Sequence, residues 1–125
     1  MSAPQARPVI DGSAKVFENM EISLIDLFRA QLQGGVNLVA GRTFRNCRLH
    51  GPVVMLALEG VTFESTNFGF HGGDIANLVL RPAGEKVIGA LPFKDCAFIG
   101  CQFFAVGFTG PETFLQQILA LETTQ

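Results

Sequence analysis

Large apolar residues recur at every fifth position along much of the chain. In the stretch FKDCAFIGCQFFAVGF, Phe93, Phe98, Phe103 and Phe108 fall five apart; upstream, Phe17, Ile22, Leu27 and Leu32 do the same, with Met20, Ile25 and Ala30 two places before each later member. An extended strand alternates faces with period two, so residues five apart point to opposite sides. An α-helix advances roughly 500° in five residues and leaves successive side chains about 140° apart. Neither gathers the rings on one side. A chain that turns a corner about every five residues does, because the middle residue of each short side then points at a common axis. Four such sides make a turn of about twenty residues, a period that signals a solenoid.

The pattern carries a second inward position. Phe44-Arg45-Asn46-Cys47-Arg48-Leu49, Phe63-Glu64-Ser65-Thr66-Asn67-Phe68, Phe93-Lys94-Asp95-Cys96-Ala97-Phe98 and Phe98-Ile99-Gly100-Cys101-Gln102-Phe103 share one template: large apolar, two variable, small, one variable, large apolar. The units Cys47-Arg48-Leu49, Thr66-Asn67-Phe68, Cys96-Ala97-Phe98 and Cys101-Gln102-Phe103 resemble those of the pentapeptide-repeat family, as a divergent member. Only Asn67 among them carries the Asp or Asn that the family favours between the two positions, and the phase slips between Leu32 and Phe44 and between Val54 and Phe63. The resemblance implies a mostly β fold, a right-handed parallel β-helix (solenoid) of about four to five coils with a C-terminal capping α-helix. The expected organisation is a single domain: a flexible N-terminus over residues 1–13, the β-helix over 14–109 and the capping helix over 110–122.

Superposing Phe44, Phe63 and Phe93 predicts the exterior. Arg45, Glu64 and Lys94 then form a cross-strand ladder of alternating charge, and Asn46, Ser65 and Asp95 sit at corners. Cys47 and Cys96 fall in one column two rungs apart, roughly 9.6 Å, too far for a disulfide. The spacing from Phe63 to Phe93 is thirty residues where Phe44 to Phe63 is nineteen. The surplus predicts a protruding loop at Arg81-Pro82-Ala83-Gly84-Glu85-Lys86, flanked by short strands at Leu78-Val79-Leu80 and Val87-Ile88. Loops on rigid scaffolds carry binding residues, so Arg81, Glu85 and Lys86 are candidate partner contacts. The C-terminal stretch has Pro111 at a helix start, Glu112 in the first turn, and an apolar stripe of Phe114, Leu115, Ile118, Leu119 and Leu121. That stripe either caps its own chain or packs on a second copy as a homodimer; Phe114, Ile118 and Leu121 complete the candidate contacts.

Composition and charge then narrow the function. The chain of 125 residues has twelve Phe and no Trp or Tyr, so its aromatic bulk is placed for packing rather than for a polar handle. Nine basic against eleven acidic side chains give a net charge of −2, which disfavours nucleic acid and anionic membranes as partners. The N-terminus MSAPQARPVIDGSAK has no apolar run fit for a secretory signal, and the run Val53 to Leu58 is far short of a bilayer span, so a cytoplasmic protein is expected. Three cysteines without export signals read as reduced thiols.

No chemistry stands out. His50 and His71 would need Asp74 or Glu59 to complete a metal site, and no HxH, HExxH or CxxC spacing occurs. Cys96 and Cys101 occupy inward positions with no neighbouring His to activate them. Arg42, Arg45 and Arg48 cluster, but nothing aromatic interleaves with them for base stacking. No catalytic residue, metal or cofactor is therefore expected, and the chain reads as a non-enzyme. Three classes compete: a non-catalytic protein-interaction or scaffold module with an unknown protein partner; a DNA-mimicking topoisomerase binder, an activity found among some pentapeptide-repeat proteins; and a glycan-binding or enzymatic β-helix. The first leads, because mimicry needs an extended acidic surface and an enzyme needs clustered acids and bases.

Overall fold

The computed structural model describes residues 12–69, 72–84 and 87–124, with side chains through residue 120. Nine strands and two helices follow one another: β1 (Val16–Glu18), β2 (Glu21–Ser23), α1 (Leu24–Gln33), β3 (Val39–Ala40), β4 (Thr43–Arg45), β5 (Arg48–Ala57), β6 (Thr62–Glu64), β7 (Leu91–Lys94), β8 (Ala97–Ile99), β9 (Gln102–Thr109) and α2 (Glu112–Thr124). A 3-10 turn, Ile75–Leu78, lies between β6 and β7. Every strand pairing among the described residues is parallel. One sheet has four strands in the order β1-β4-β8-β6; the other has five, ordered β2-β5-β7-β3 with β9 added on β5.

The registers line the interior with columns of apolar side chains. Phe17, Phe44, Phe98 and Phe63 are neighbours in the first sheet, their rings stacked at 5.1, 4.8 and 5.2 Å. Ile22, Leu49 and Phe103 form a second column, continued by Phe68, whose ring stacks on Phe103 at 5.8 Å. Met55 lies beside Phe108, and Val39 and Ala57 flank Phe93. Phe93, Phe98, Phe103 and Phe108 are thus fully buried, each in a different column.

Short sides need tight corners. Asn19, Asn46 and Ser65 adopt φ of 55°, 52° and 50°, and Asp95 follows at 52°. Asn and Asp tolerate this left-handed region better than other side chains. The corner amides of Asn19, Asn46 and Gly100 donate to the carbonyls of Arg45, Ile99 and Glu64 at 2.9, 2.9 and 2.8 Å, so the corners bond in the same order as the strands. Beside them Cys47, Cys101 and Thr66 each donate to a carbonyl of the adjacent strand, those of Phe17, Phe44 and Phe98, at 3.4, 3.2 and 3.2 Å.

The expected fold class requires correction. In place of a right-handed parallel β-helix of four to five coils, the chain forms two parallel sheets with two helices, an α/β-type arrangement. The strand order overturns the expectation: a solenoid adds each turn on the previous one, whereas β8 lies between β4 and β6, and β6 ends the sheet. The physical reason is burial. Residues 91–109 contribute Phe93, Cys96, Phe98, Cys101, Phe103, Val106 and Phe108 to the core. A segment that apolar gains most from having neighbours on both sides, as parallel strands covered all round do.

The exterior registers change with the order. Arg45 stands between Glu18 and Ile99, Glu64 beside Ile99, and Lys94 pairs with Glu59 at 3.4 Å, so Arg45, Glu64 and Lys94 do not form a common ladder. Cys47 stands next to the strand of Cys101, not in a column with Cys96. The expected strands at 78–80 and 87–88 are absent: Leu78 ends the 3-10 turn, Val79 makes one isolated bridge to Phe108, and Val87 and Ile88 are in no strand.

Residues 24–33, expected within the solenoid, form α1. Ser23 caps the helix, its Oγ accepting from the Asp26 amide at 3.3 Å, and Gly34 ends it. Leu24, Leu27 and Gln31 face the interior with helical spacing. Leu32, in phase with the fivefold pattern, is 47% exposed. The N-terminal segment 1–13 lies outside the described residues up to residue 11.

Candidate functional site

The terminal helix borders two surface grooves, one of them shared with the segment leading to β7. Gly110 and Pro111 turn the chain out of β9, and α2 then lays Phe114, Leu115 and Ile118 onto its own chain. The Phe114 ring meets Phe63 at 5.7 Å, tilted by 31°, so the helix covers the end of the aromatic column beside β6. Phe114 and Ile118 are 9% and 2% exposed: as partner contacts they offer little surface, because burial in the core consumes it.

Arg81 takes a different role. Its Nε and Nη2 donate to Oε1 and Oε2 of Glu112, both at 3.0 Å, a fork geometry that joins the start of the 81–88 segment to the first turn of α2. Gln116 Nε2 adds a third donor to Glu112 Oε2 at 2.6 Å. The Arg81 hydrogen bonds, helped by Gln116, hold the Glu112 carboxyl down at about 2, and the same pairing raises the Arg81 guanidinium. Both groups are exposed, so the fork positions more than it stabilises.

Behind the fork lies a groove of about 620 Å³, walled by Leu56, Leu58, Pro82, Val87, Ile88 and Pro111. Ile88 is 96% exposed, and Leu80 nearby is also exposed. A second groove, of about 550 Å³, lies on the β6 side of α2 and is lined by Val61, Phe63, Phe68, Phe114 and Ile118, with Thr62, Ser65, Thr66 and Gln117 supplying polar atoms. Of the sequence candidates, Arg81 stands at the rim of the first groove and Phe114 and Ile118 in the wall of the second. Glu85, Lys86 and the Leu121 side chain lie outside the described residues. Sequence reasoning missed Leu56, Leu58 and Ile88 as surface residues. The signal was present in Arg81-Pro82-Ala83-Gly84, turn chemistry that ends any strand and leaves Val87-Ile88 without a ladder to bury them.

Other chemistry-bearing residues are dispersed. His50 stacks on Phe104 at 5.0 Å and lies 3.6 Å from Glu21, which also pairs with Arg48 at 3.2 Å. Arg42 is buried and donates to the carbonyls of Ala40 and Ala14, whereas Arg45 and Arg48 are exposed. His71 lies outside the described residues. Cys47, Cys96 and Cys101 are buried free thiols. Interaction between the neighbouring Cys47 and Cys101 thiols raises Cys47 and lowers Cys101 to about 7, while burial, with a smaller push from the Asp95 carboxylate, raises Cys96. No group of three or more His, Cys, Asp or Glu among the described residues converges to hold a metal ion. No helix among them is long and apolar enough to cross a membrane. Comparison with known proteins finds no family model, no curated protein and no solved structure that matches this chain.

Proposed function

We propose that this chain is a non-catalytic protein-interaction or scaffold module of the cytoplasm, and that it meets its protein partner through the groove beside Ile88. The observation that carries the reading is the exposure of an isoleucine at 96% at the mouth of a groove walled by Leu56, Leu58, Pro82 and Val87. An isoleucine so placed gives nothing to the fold, whereas covering it on a partner gains about 1.5 to 3 kcal/mol. The Arg81–Glu112 fork supports the reading, since it holds the groove's rim in place before a partner arrives. Three buried free thiols support a reducing compartment. A homodimer through the α2 stripe is the weaker alternative, because Phe114, Leu115 and Ile118 are already buried in their own chain.

A photo-crosslinking amino acid at position 88, incorporated in the native cells, tests this. One defined protein should be captured, and binding of that protein to the purified chain should be lost with Leu58→Asp or Ile88→Asp while the Ile88→Asp melting temperature stays unchanged. Crosslinks scattered over many proteins, or unchanged binding by both variants, would remove the groove from consideration.

A further inference from the structure

The first sheet stops at β6, and the hydrogen bonds show which of its groups face outward. The Thr62 amide donates to the Cys96 carbonyl at 2.9 Å, and the Glu64 carbonyl accepts from the Gly100 amide at 2.8 Å, so the main-chain groups of Thr62 and Glu64 face β8. Successive residues of a strand direct these groups to opposite sides, so the amide and carbonyl of Phe63 face away from β8, where no described strand pairs with them. An unpaired edge of this kind is a template for another strand.

We propose that β6 receives an extended segment of a partner protein as a further parallel strand, carrying a β-branched residue, an aromatic residue and a lysine or arginine at three successive positions. The three rows of the sheet dictate the order. The inward row runs Phe17, Phe44, Phe98, Phe63 in stacked rings, and beside the tilted Phe114 ring that meets Phe63 lies the groove of about 550 Å³, into which an aromatic side chain of the incoming strand would fit. One outward row runs Val16, Thr43, Ala97, Thr62 and continues with a β-branched side chain. The other runs Glu18, Arg45, Ile99, Glu64: Arg45 stands beside Glu18, but the neighbour of Glu64 is Ile99. No cation among the described residues pairs with the Glu64 carboxylate, so a cation on the incoming strand completes the row.

Charge also argues against a second copy as the occupant. Two-fold pairing of β6 with itself sets Glu64 opposite Thr62, and a parallel pairing sets it beside another Glu64; neither supplies the cation. The inference rests on reading the chain as an interaction module but uses a surface apart from the Ile88 groove, so Ile88→Asp leaves it intact.

The probe is a pair of end-blocked peptides, Ser-Thr-Val-Thr-Phe-Lys-Val-Thr-Ser and the same sequence with Glu replacing Lys, added to the isotope-labelled full chain. The Lys peptide should slow hydrogen exchange of the Phe63 amide by about tenfold or more. It should also outcompete the Glu peptide, and Glu64→Lys should reverse that preference. Should Glu64→Lys fail to fold, Glu64→Gln should abolish the preference instead. The inference is overturned if neither peptide protects Phe63 at millimolar concentration, if both bind equally to the native chain, or if Phe63 becomes protected with rising protein concentration alone, which would assign the edge to a second copy.

Discussion

Gln31 occupies a place on α1 that its neighbours Leu24 and Leu27 mark as apolar, and both its amide nitrogen and its oxygen are buried without a partner. A buried unsatisfied polar group costs about 1 to 3 kcal/mol, and an apolar side chain of similar shape avoids that cost. Gln31→Met should therefore raise stability by about 1 to 3 kcal/mol, read as a higher denaturant midpoint with an unchanged slope. Phe98 is the opposite case: it touches the rings of Phe44, Phe63, Phe93 and Phe103 at 4.8, 5.2, 6.0 and 5.3 Å. Phe98→Ala should cost about 3 to 5 kcal/mol, because no neighbour in that stack can move in to fill the space. Glu112 gives a pH signature. Its folded carboxyl, held at about 2 against an ordinary 4.5, makes the Arg81 fork's contribution fully present above about 4.5 and lost as pH falls through about 2. Carbon-detected titration should place the Glu112 midpoint well below 4.5, and Arg81→Ala should return it toward that value, with little change in melting temperature because both groups are in water.

The elements are set by their corners as much as by their sides. Gly69 follows the β6 unit at φ +88°, and a Cβ there would lie 2.2 Å from the Phe103 carbonyl oxygen. Gly69→Ala should destabilise by about 1 to 3 kcal/mol or more, since both the backbone conformation and the close approach oppose it; thermal melts would check this. Helix α1 shows where a local signal prevailed over a repeat. The fivefold phase placed Leu27 and Leu32 together, but Ser23 and Asp26 form a cap and the run Leu24, Leu27, Gln31 follows the helical period. Once the helix forms, five residues carry Leu32 about 140° from Leu27 and out to water. The helical alternative was legible in Ser23-Leu24-Ile25-Asp26, with Gly34-Gly35 as its stop. Helix α2 was legible for the same reasons, through Pro111, Glu112 and the spacing of Phe114, Leu115 and Ile118.

The chain order of the strands governs how the molecule holds together. Because β8 lies between β4 and β6, residues 91–109 join segments that have no strand pairing with each other in the first sheet. A chain ended after Ile88 should therefore lose its cooperative structure entirely, whereas a stack built in chain order would keep its earlier turns; far-UV circular dichroism and a denaturant titration would distinguish the two. For the same reason hydrogen exchange should be slowest in β4, β8 and the paired parts of β5 and β9, and fastest at β6 and around Ile88. Which side chains turn inward was legible along the chain, because a corner every five residues depends on neighbours in sequence: Phe93, Phe98, Phe103 and Phe108 are all buried. Which strand lies beside which was not. The templates starting at Phe44, Phe63, Phe93 and Phe98 are nearly interchangeable, so any would stack on any other with similar local gain. The edge candidate inherits that ambiguity: β6 stands at the end of the first sheet, with Glu64 beside Ile99, because 91–109 went to the middle. That choice belongs to the total apolar area buried by the assembled chain, a sum over distant segments that no single stretch of residues carries.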